Sequence, residues 1–136
     1  MIKPIMKSEF FLRLPSEDAG PDDAATGQDL LDTLHEHEHE CVGLAANIIG
    51  VRKRIICVKD GNRALLMYNP QILEQVNAYQ TSEGCLSLVG ERPCTRYRRI
   101  KVEYLDENFV RRIKNFSGYT AEIIQHEIDH CCGIVI

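Results

Sequence analysis

The stretch that decides the fold is QHEIDH, residues 125–130, close to the C-terminus. Its two histidines, His126 and His130, are four residues apart. On an α-helix this spacing changes the direction of a side chain by about 40° and its height by about 6 Å. Both imidazoles can therefore reach one ion from one face, and Glu127 lies beside the first of them. The pattern predicts a metal-binding helix; the alternative is an amphipathic helix that keeps its histidines in the core.

A catalytic metal site needs three protein ligands and an open position for water. No histidine follows His130, so a third ligand must come from an earlier segment. Residues 83–87, which read EGCLS, contain a candidate. A thiolate at Cys85 with two imidazoles makes a soft ligand set that suits zinc or ferrous iron. Gly84 permits close approach of the backbone. The alternative for Cys85 is a buried thiol at the end of a strand.

The segments around these motifs predict an α+β fold, in which a mostly antiparallel sheet packs on the C-terminal metal-binding helix. Residues 1–136 fit one domain. We expect an irregular lead-in, then a helix capped by Asp22 or Asp23. The predicted elements are a helix over 23–40, a strand over 54–58, a turn over 59–62, strands over 63–69, 97–105 and 109–114, and a helix from Ser117 or Thr120 to Cys132, stopped by Gly133.

The charge of the chain argues against nonspecific nucleic-acid binding, because the formal net charge is −4. The basic residues at 96, 98, 99 and 101 predict a solvated strand edge. The tract of alternating histidine and glutamate over 35–40 predicts a solvated helix end. Only His35 and His39 would share a helix face there, so a second metal site is the weaker interpretation.

The lengths of the apolar runs and the use of cysteine indicate the cellular compartment of the protein. No apolar run approaches the length of a membrane span, and residues 1–11 lack the apolar core of a signal peptide. We therefore expect a cytoplasmic protein whose six cysteines stay reduced. Most of these cysteines should be small buried apolar residues.

Three motifs together resemble those of peptide deformylases. The stretch EGCLS at 83–87 is similar to a motif of that family, and QHEIDH at 125–130 is similar to its Q-H-E-x-D-H motif. The stretch CVGLAANIIG at 41–50 resembles its G-x-G-L-A-A-x-Q-x-G motif. Order and spacing also match, from about residue 22 to the C-terminus.

The resemblance implies a hydrolase that removes the formyl group from the N-terminal methionine of nascent peptides. It implies that Cys85, His126 and His130 bind Fe²⁺, for which Zn²⁺ or another divalent metal can substitute. Glu127 would move a proton from water to the leaving amine. The backbone N–H of Leu86 would help to bind the oxyanion.

The same resemblance assigns the substrate side of the site. Val42, Gly43 and Gly84 would pair with the peptide backbone as an added strand does. Tyr119 and Ile123 would line the methionine pocket. The expected partners are a formylmethionyl peptide and, transiently, the ribosome, with no nucleic acid and no membrane.

The sequence departs from the family in four places. Ile48 stands where the family has a glutamine that donates a hydrogen bond to the oxyanion, and loss of such a donor typically costs about 3 kcal/mol. Asn47, its neighbour, carries an amide. Cys41 replaces a glycine and would be strained if a positive φ were needed there. Val89 replaces a proline and Cys131 a leucine.

Three functions remain open at this point. The first is a working deformylase, slow or with altered substrate choice. The second is a deformylase-like protein that binds metal and peptide with little activity, which the substitution at Ile48 favours. The third is a metallopeptidase, which the Cys-His-His ligand set disfavours. Intact Glu127 favours an enzyme.

Overall fold

The computed structural model describes all residues, 1–136, and confirms the α+β fold. Five strands form one antiparallel sheet in the order β1-β2-β3-β4-β5. The helices and strands are α1 Glu9–Leu12, α2 Ala24–Glu36, β1 Gly43–Ala45, β2 Ile55–Asp60, β3 Arg63–Glu83, β4 Arg92–Leu105, β5 Arg111–Ser117 and α3 Gly118–Cys131. A 3₁₀ turn, Pro21–Asp23, precedes α2, and another, Ala46–Ile49, follows β1.

The core lies where the helices meet the inner strands. Both α2 and α3 contact β2, and Ile55 to Val58 of that strand are all buried. Because successive strand residues point to opposite faces, four buried residues in a row mean that both faces of β2 are covered. Helix α3 buries nine of its residues, which makes it the central packing element.

The side chain of Gln125 joins helix α3 to the sheet by two hydrogen bonds. The Tyr97 backbone N–H donates to Gln125 Oε1 and the Gln125 amide donates to the Tyr97 carbonyl, both at 2.8 Å. The glutamine thus mimics a neighbouring strand and fixes the helix in register with β4. The helix ends as expected, with Gly133 in the left-handed region at φ 77°.

Strand β3 is longer than expected. The sequence predicted a return strand that ends at residue 69, but β3 continues to Glu83 and pairs with β4 throughout. Register shifts near Tyr68/Gln71 and Ile72/Glu74 let the strand pass the Asn69-Pro70 interruption, with Asn69 at positive φ. A strand that bulges at a turn-forming pair of residues is predicted from sequence to end there, although its pairing with the neighbouring strand continues.

Two predictions about surface residues were wrong. The basic segment was expected at a solvated edge, but β4 is an inner strand and Arg96 is only 4% exposed. Helix α2 ends at Glu36, so His39 lies in the following turn and shares no helix face with His35.

The cysteine prediction was correct only in part. All six thiols are free. Cys57 and Cys131 are buried, three others are partly buried and Cys132 is exposed. None of the helices is both long enough and apolar enough to cross a membrane.

We predict that Gly133→Ala destabilises the fold by more than 1 kcal/mol. A Cβ at this position would combine a positive φ with a contact 2.4 Å from the carbonyl oxygen of Arg13. The matched control is Gly61→Ala, which also has positive φ but meets no atom within 4 Å. Denaturant unfolding of both variants tests this. Equal losses would mean that the contact with Arg13 relaxes at no cost.

Candidate metal centre and active-site cleft

Two imidazoles of α3 point at one place. The Nε2 atoms of His126 and His130 lie 3.0 Å apart, one turn from each other on the buried face of the helix. The candidate ligand atoms of His126, Glu127 and His130 all lie within 4.8 Å of one another. The predicted pair of histidines is therefore brought together, with Glu127 beside it.

The orientation of His126 is set by the end of β3. Its Nδ1 lies 2.8 Å from Glu83 Oε1, which makes it the donor to a carboxylate. In that tautomer Nε2 carries a free lone pair directed into the site. A carboxylate on the far ring nitrogen is the usual way in which proteins fix and strengthen a metal-binding histidine.

Glu83 is itself held by a buried arginine. Arg96 Nη2 donates to Glu83 Oε1 at 2.8 Å, and Arg96 Nη1 donates to Asp129 Oδ2 at 2.7 Å. The network therefore joins the ends of two strands to the helix that carries the histidines. The sequence analysis did not predict this network. Arg96 lies an even number of residues before the buried Ile100 and Val102 of β4, so it belongs to the same, inward face of the strand. That alternation was the available signal.

The network sets the charge states of the site. Burial raises the pKa of Glu83, but hydrogen bonds from His126 and Arg96 outweigh it, so the pKa lies well below its usual range. Burial lowers the pKa of His126, yet the hydrogen bond to Glu83 and the charge of Glu127 raise it overall. Burial, helped by repulsion from His126, lowers the pKa of His130 to about 3. The imidazole of His130 is therefore neutral at physiological pH.

These features fit a divalent transition metal. The two imidazole nitrogens, 3.0 Å apart, share a proton in the metal-free protein and can both turn their lone pairs to a bound cation. A tetrahedral ion with metal–nitrogen bonds of ordinary length separates its two nitrogens by about 3.3 Å. The Nδ1 atom of His130 is buried without a hydrogen-bond partner, so nothing in the protein competes for the orientation of its ring.

Cys85 lies in the same cleft but outside the tight group. The cleft has a volume of about 490 Å³, and its walls include Cys85, the two histidines and Glu127. Cys85 belongs to the loop of residues 84–91 between β3 and β4 and is partly buried. A Cβ on Gly84 would lie 3.1 Å from the carbonyl oxygen of Gly90, so the two ends of this loop approach closely.

The lining of the cleft also includes Val42 and Gly43 at the start of β1 and Tyr119 and Ile123 of α3. Leu86 of the loop that carries Cys85 lines it as well. Strand β1 is the edge of the sheet and pairs only with β2, so its other side is free.

Gly43 has a steric reason to lack a side chain. A Cβ there would lie 2.7 Å from Ile123 Cγ2 and 3.1 Å from Glu127 Oε2. The edge strand therefore lies directly against the helix and beside the carboxylate of the site.

Ile48, at the position where the family has a glutamine, and its neighbour Asn47 face different parts of the protein. Ile48 is 2% exposed and lines the cleft. The amide of Asn47 instead donates to the backbone carbonyl of His130 at 2.9 Å, and Asn47 is not part of the cleft wall. Asn47 thus supports the end of α3 and does not replace the missing donor. Cys41 has no positive φ, so the strain considered from sequence is absent.

Comparison with known proteins agrees with this geometry. Residues 6–136 match the family model described as polypeptide deformylase. A peptide deformylase of Clostridium beijerinckii is 51% identical over 136 residues, which is the whole of both chains. Similar solved structures include a peptide deformylase of Thermotoga maritima, with a TM-score of 0.89 and 28% identity, covering 99% of this chain and 95% of the other.

A second similar structure is a class I type b peptide deformylase of Acinetobacter baumannii with Met-Ala-Ser bound. Its TM-score is 0.86 at 30% identity, and 99% of this chain and 97% of the other are covered. Sequence motifs, paired histidines and whole-chain similarity agree, and the chain belongs to the peptide deformylase family.

Proposed function

We propose that residues 1–136 act as one catalytic unit in which Cys85, His126 and His130 hold the metal for deformylation. The family hydrolyses the formyl group from the N-terminal methionine of nascent peptides and depends on a metal. The observation that carries the assignment is the convergence of the two Nε2 atoms beside Glu127, in a cleft that Cys85 also lines.

We propose Fe²⁺ as the metal, with Zn²⁺ or another divalent ion as a substitute. Two imidazoles and one thiolate form a set that suits these ions. When bound, such an ion lowers the pKa of a water and supplies a nucleophile near neutral pH. The protein also orients His126 through its contact with Glu83 and keeps His130 neutral by burial.

Glu127 is proposed to take the proton of the attacking water and to deliver it to the leaving amine. Complete burial raises the pKa of this carboxyl to about 7. An acid–base group is most effective when its pKa lies near the working pH. Its neighbours are the two histidines, so the carboxylate is close to the place where water must react.

Peptide recognition is proposed to use the free edge of β1. An extended substrate could pair with Val42 and Gly43, and with Gly84 across the cleft, as an added strand. The relative of Acinetobacter baumannii binds the peptide Met-Ala-Ser, which is the kind of ligand such an edge receives. The exposed Tyr119 and the buried Ile123 would hold the methionine side chain, and the N–H of Leu86 would face the oxyanion.

The setting of the reaction is also a proposal. Nascent chains carry the formyl group as they leave the ribosome, so we place the protein in the cytoplasm with transient ribosome contact. A net charge of −4 argues against sequence-independent nucleic-acid binding. The binding-protein and metallopeptidase alternatives are not favoured, because the chain keeps Glu127 and matches deformylases over its full length.

The direct test is formate release from a formyl-methionyl peptide. The protein should be loaded with iron without oxygen, since a thiolate ligand is readily oxidised. Release of formate supports the proposal. Cleavage of unblocked peptides, with no formate released, would support a metallopeptidase instead.

The metal assignment predicts a contrast between two variants. Cys85→Ala should lose most of the bound metal, because it removes one of three ligands. His35→Ala should keep it, since the His35 side chain is 83% exposed and pairs only with Glu38. Elemental analysis of both purified proteins measures this. The reverse result would move the site to the histidine-rich tract.

We predict that Glu127→Gln abolishes hydrolysis while it stabilises the metal-free protein above pH 7. The pKa of Glu127 is raised from 4.5 to about 7 by burial, so the ionised carboxylate destabilises the native state. This penalty is absent below pH 4.5, grows between pH 4.5 and 7, and reaches about 3 kcal/mol above pH 7. The glutamine variant lacks it. Urea unfolding at pH 5 and pH 8 checks the difference, which should shrink when metal is bound.

Ile48→Gln should raise kcat for deformylation by about 10-fold or more, since it restores a donor to the oxyanion. Ile48 faces the cleft, so the amide can reach the reacting group. Asn47→Ala should instead weaken the end of α3 by removing the bond to His130. Kinetics at matched metal content separate the two. If Asn47→Ala removed activity in a protein of parental stability, Asn47 would be the substitute donor.

A further inference from the structure

The loop of residues 84–91 carries two groups that the proposed reaction requires, the Cys85 thiol and the Leu86 N–H. Both must be held in place, because small displacements at a reacting centre cost large factors in rate. None of the backbone–backbone hydrogen bonds outside the helices and strands involves a residue of this loop. The side chains of Leu86 and Leu88 pack against the core. This packing holds the loop close to the core but does not fix the direction of its backbone groups.

The loop is tied by a residue from the other end of the chain. Lys7 Nζ donates to the carbonyl oxygen of Leu86 at 2.6 Å. Charge-assisted hydrogen bonds are shorter and stronger than neutral ones, and this one is exposed to solvent. No ion pair of the structure involves Lys7, so the Leu86 carbonyl is the acceptor that the protein offers to its ammonium.

The segment around Lys7 is anchored on both sides. The N–H of Met6 donates to the carbonyl oxygen of Ile48 at 2.7 Å. Glu9 accepts from Arg92 at 3.4 Å, and Arg92 is the first residue after the loop. Residues 6–9 thus form a strap between the 3₁₀ turn that carries Ile48 and the far end of the Cys85 loop.

We propose that Lys7 is a positioning residue for deformylation, and that it acts by orienting the Cys85–Leu86 loop through the Leu86 carbonyl. This inference rests on the proposed roles of Cys85 and Leu86. Lys7 touches neither substrate nor metal in this account. Its importance is greater in a chain that has isoleucine at position 48, because the Leu86 N–H is then left without the second oxyanion donor.

The test compares Lys7→Met with Lys7→Arg and Lys114→Met in the full chain. Methionine keeps much of the apolar stem and removes the donor, whereas arginine keeps a charged donor. Lys114 is an exposed lysine of the edge strand β5 with no ion pair, so its loss controls for charge alone. We expect Lys7→Met to lower kcat about 10-fold with little change in KM, Lys7→Arg to recover most of it, and Lys114→Met to match the parent.

A second readout does not depend on turnover. In cobalt-loaded protein, the absorption band of the thiolate–cobalt bond reports the geometry of Cys85. It should shift in Lys7→Met but not in the other two variants, and hydrogen exchange of residues 84–91 should accelerate in Lys7→Met alone.

The outcomes separate this inference from the proposed function. If Lys7→Met and Lys114→Met agree in kcat, cobalt spectrum and exchange, Lys7 has no positioning role, whatever the parent catalyses. If the parent releases no formate but the spectrum and exchange respond only to Lys7→Met, the deformylase assignment fails and the role of Lys7 at the loop stands.

Discussion

The buried guanidinium of Arg96 is the interaction on which the rest of the site depends. It is shared between Glu83 at the end of β3 and Asp129 on α3. Two consecutive strands and the C-terminal helix therefore meet at one charge. Removing one partner of such a buried group typically costs 3–5 kcal/mol, since the others lose their compensation. Its effect here is geometric, because it fixes the helix against the strand ends.

The ion pairs of Arg96 also determine the orientation of the His126 imidazole. Glu83 accepts from Arg96 and also from the Nδ1–H of His126, so the position of one imidazole is inherited from the ion pair. His130 has no such partner for its own Nδ1. Its ring is buried, and the Asn47 amide donates to its backbone carbonyl. The two imidazoles are thus supported differently, one by a charged hydrogen-bond partner and the other by packing.

The loop of residues 84–91 is supported differently again. The strand ends on either side of it are fixed by pairing of Glu83 with Arg92, whereas the loop itself has apolar contacts of Leu86 and Leu88 and the bond from Lys7. The rigid part of the site is on the helix, and the loop across the cleft carries the thiol.

How much of this could be predicted varies with the range of the interaction. The i, i+4 histidines, the proximity of Glu127 and the order of the longer helices and strands are local properties, and the sequence determined them. The short helix α1 and the three-residue strand β1 were not predicted, because elements of this length carry no periodic pattern. The resemblance of three motifs predicted that Cys85, Gly43 and Ile48 belong to one site, and all three line the cleft. The length of β3 was underestimated because Asn69-Pro70 looks like a turn, and only pairing with β4 shows that the strand continues.

Tertiary structure alone decided what each charged side chain faces. Arg96 and Arg98 are two residues apart on the same strand, yet one is buried between two carboxylates and the other is exposed beside Tyr79. The amide of Asn47 could have faced the cleft or the helix, and Lys7 could have faced solvent. Such choices depend on which groups from distant parts of the chain arrive nearby. The free energy of a charge is set by those neighbours and by burial. The sequence therefore determined the helix and its pair of histidines, and the fold decided which groups they contact.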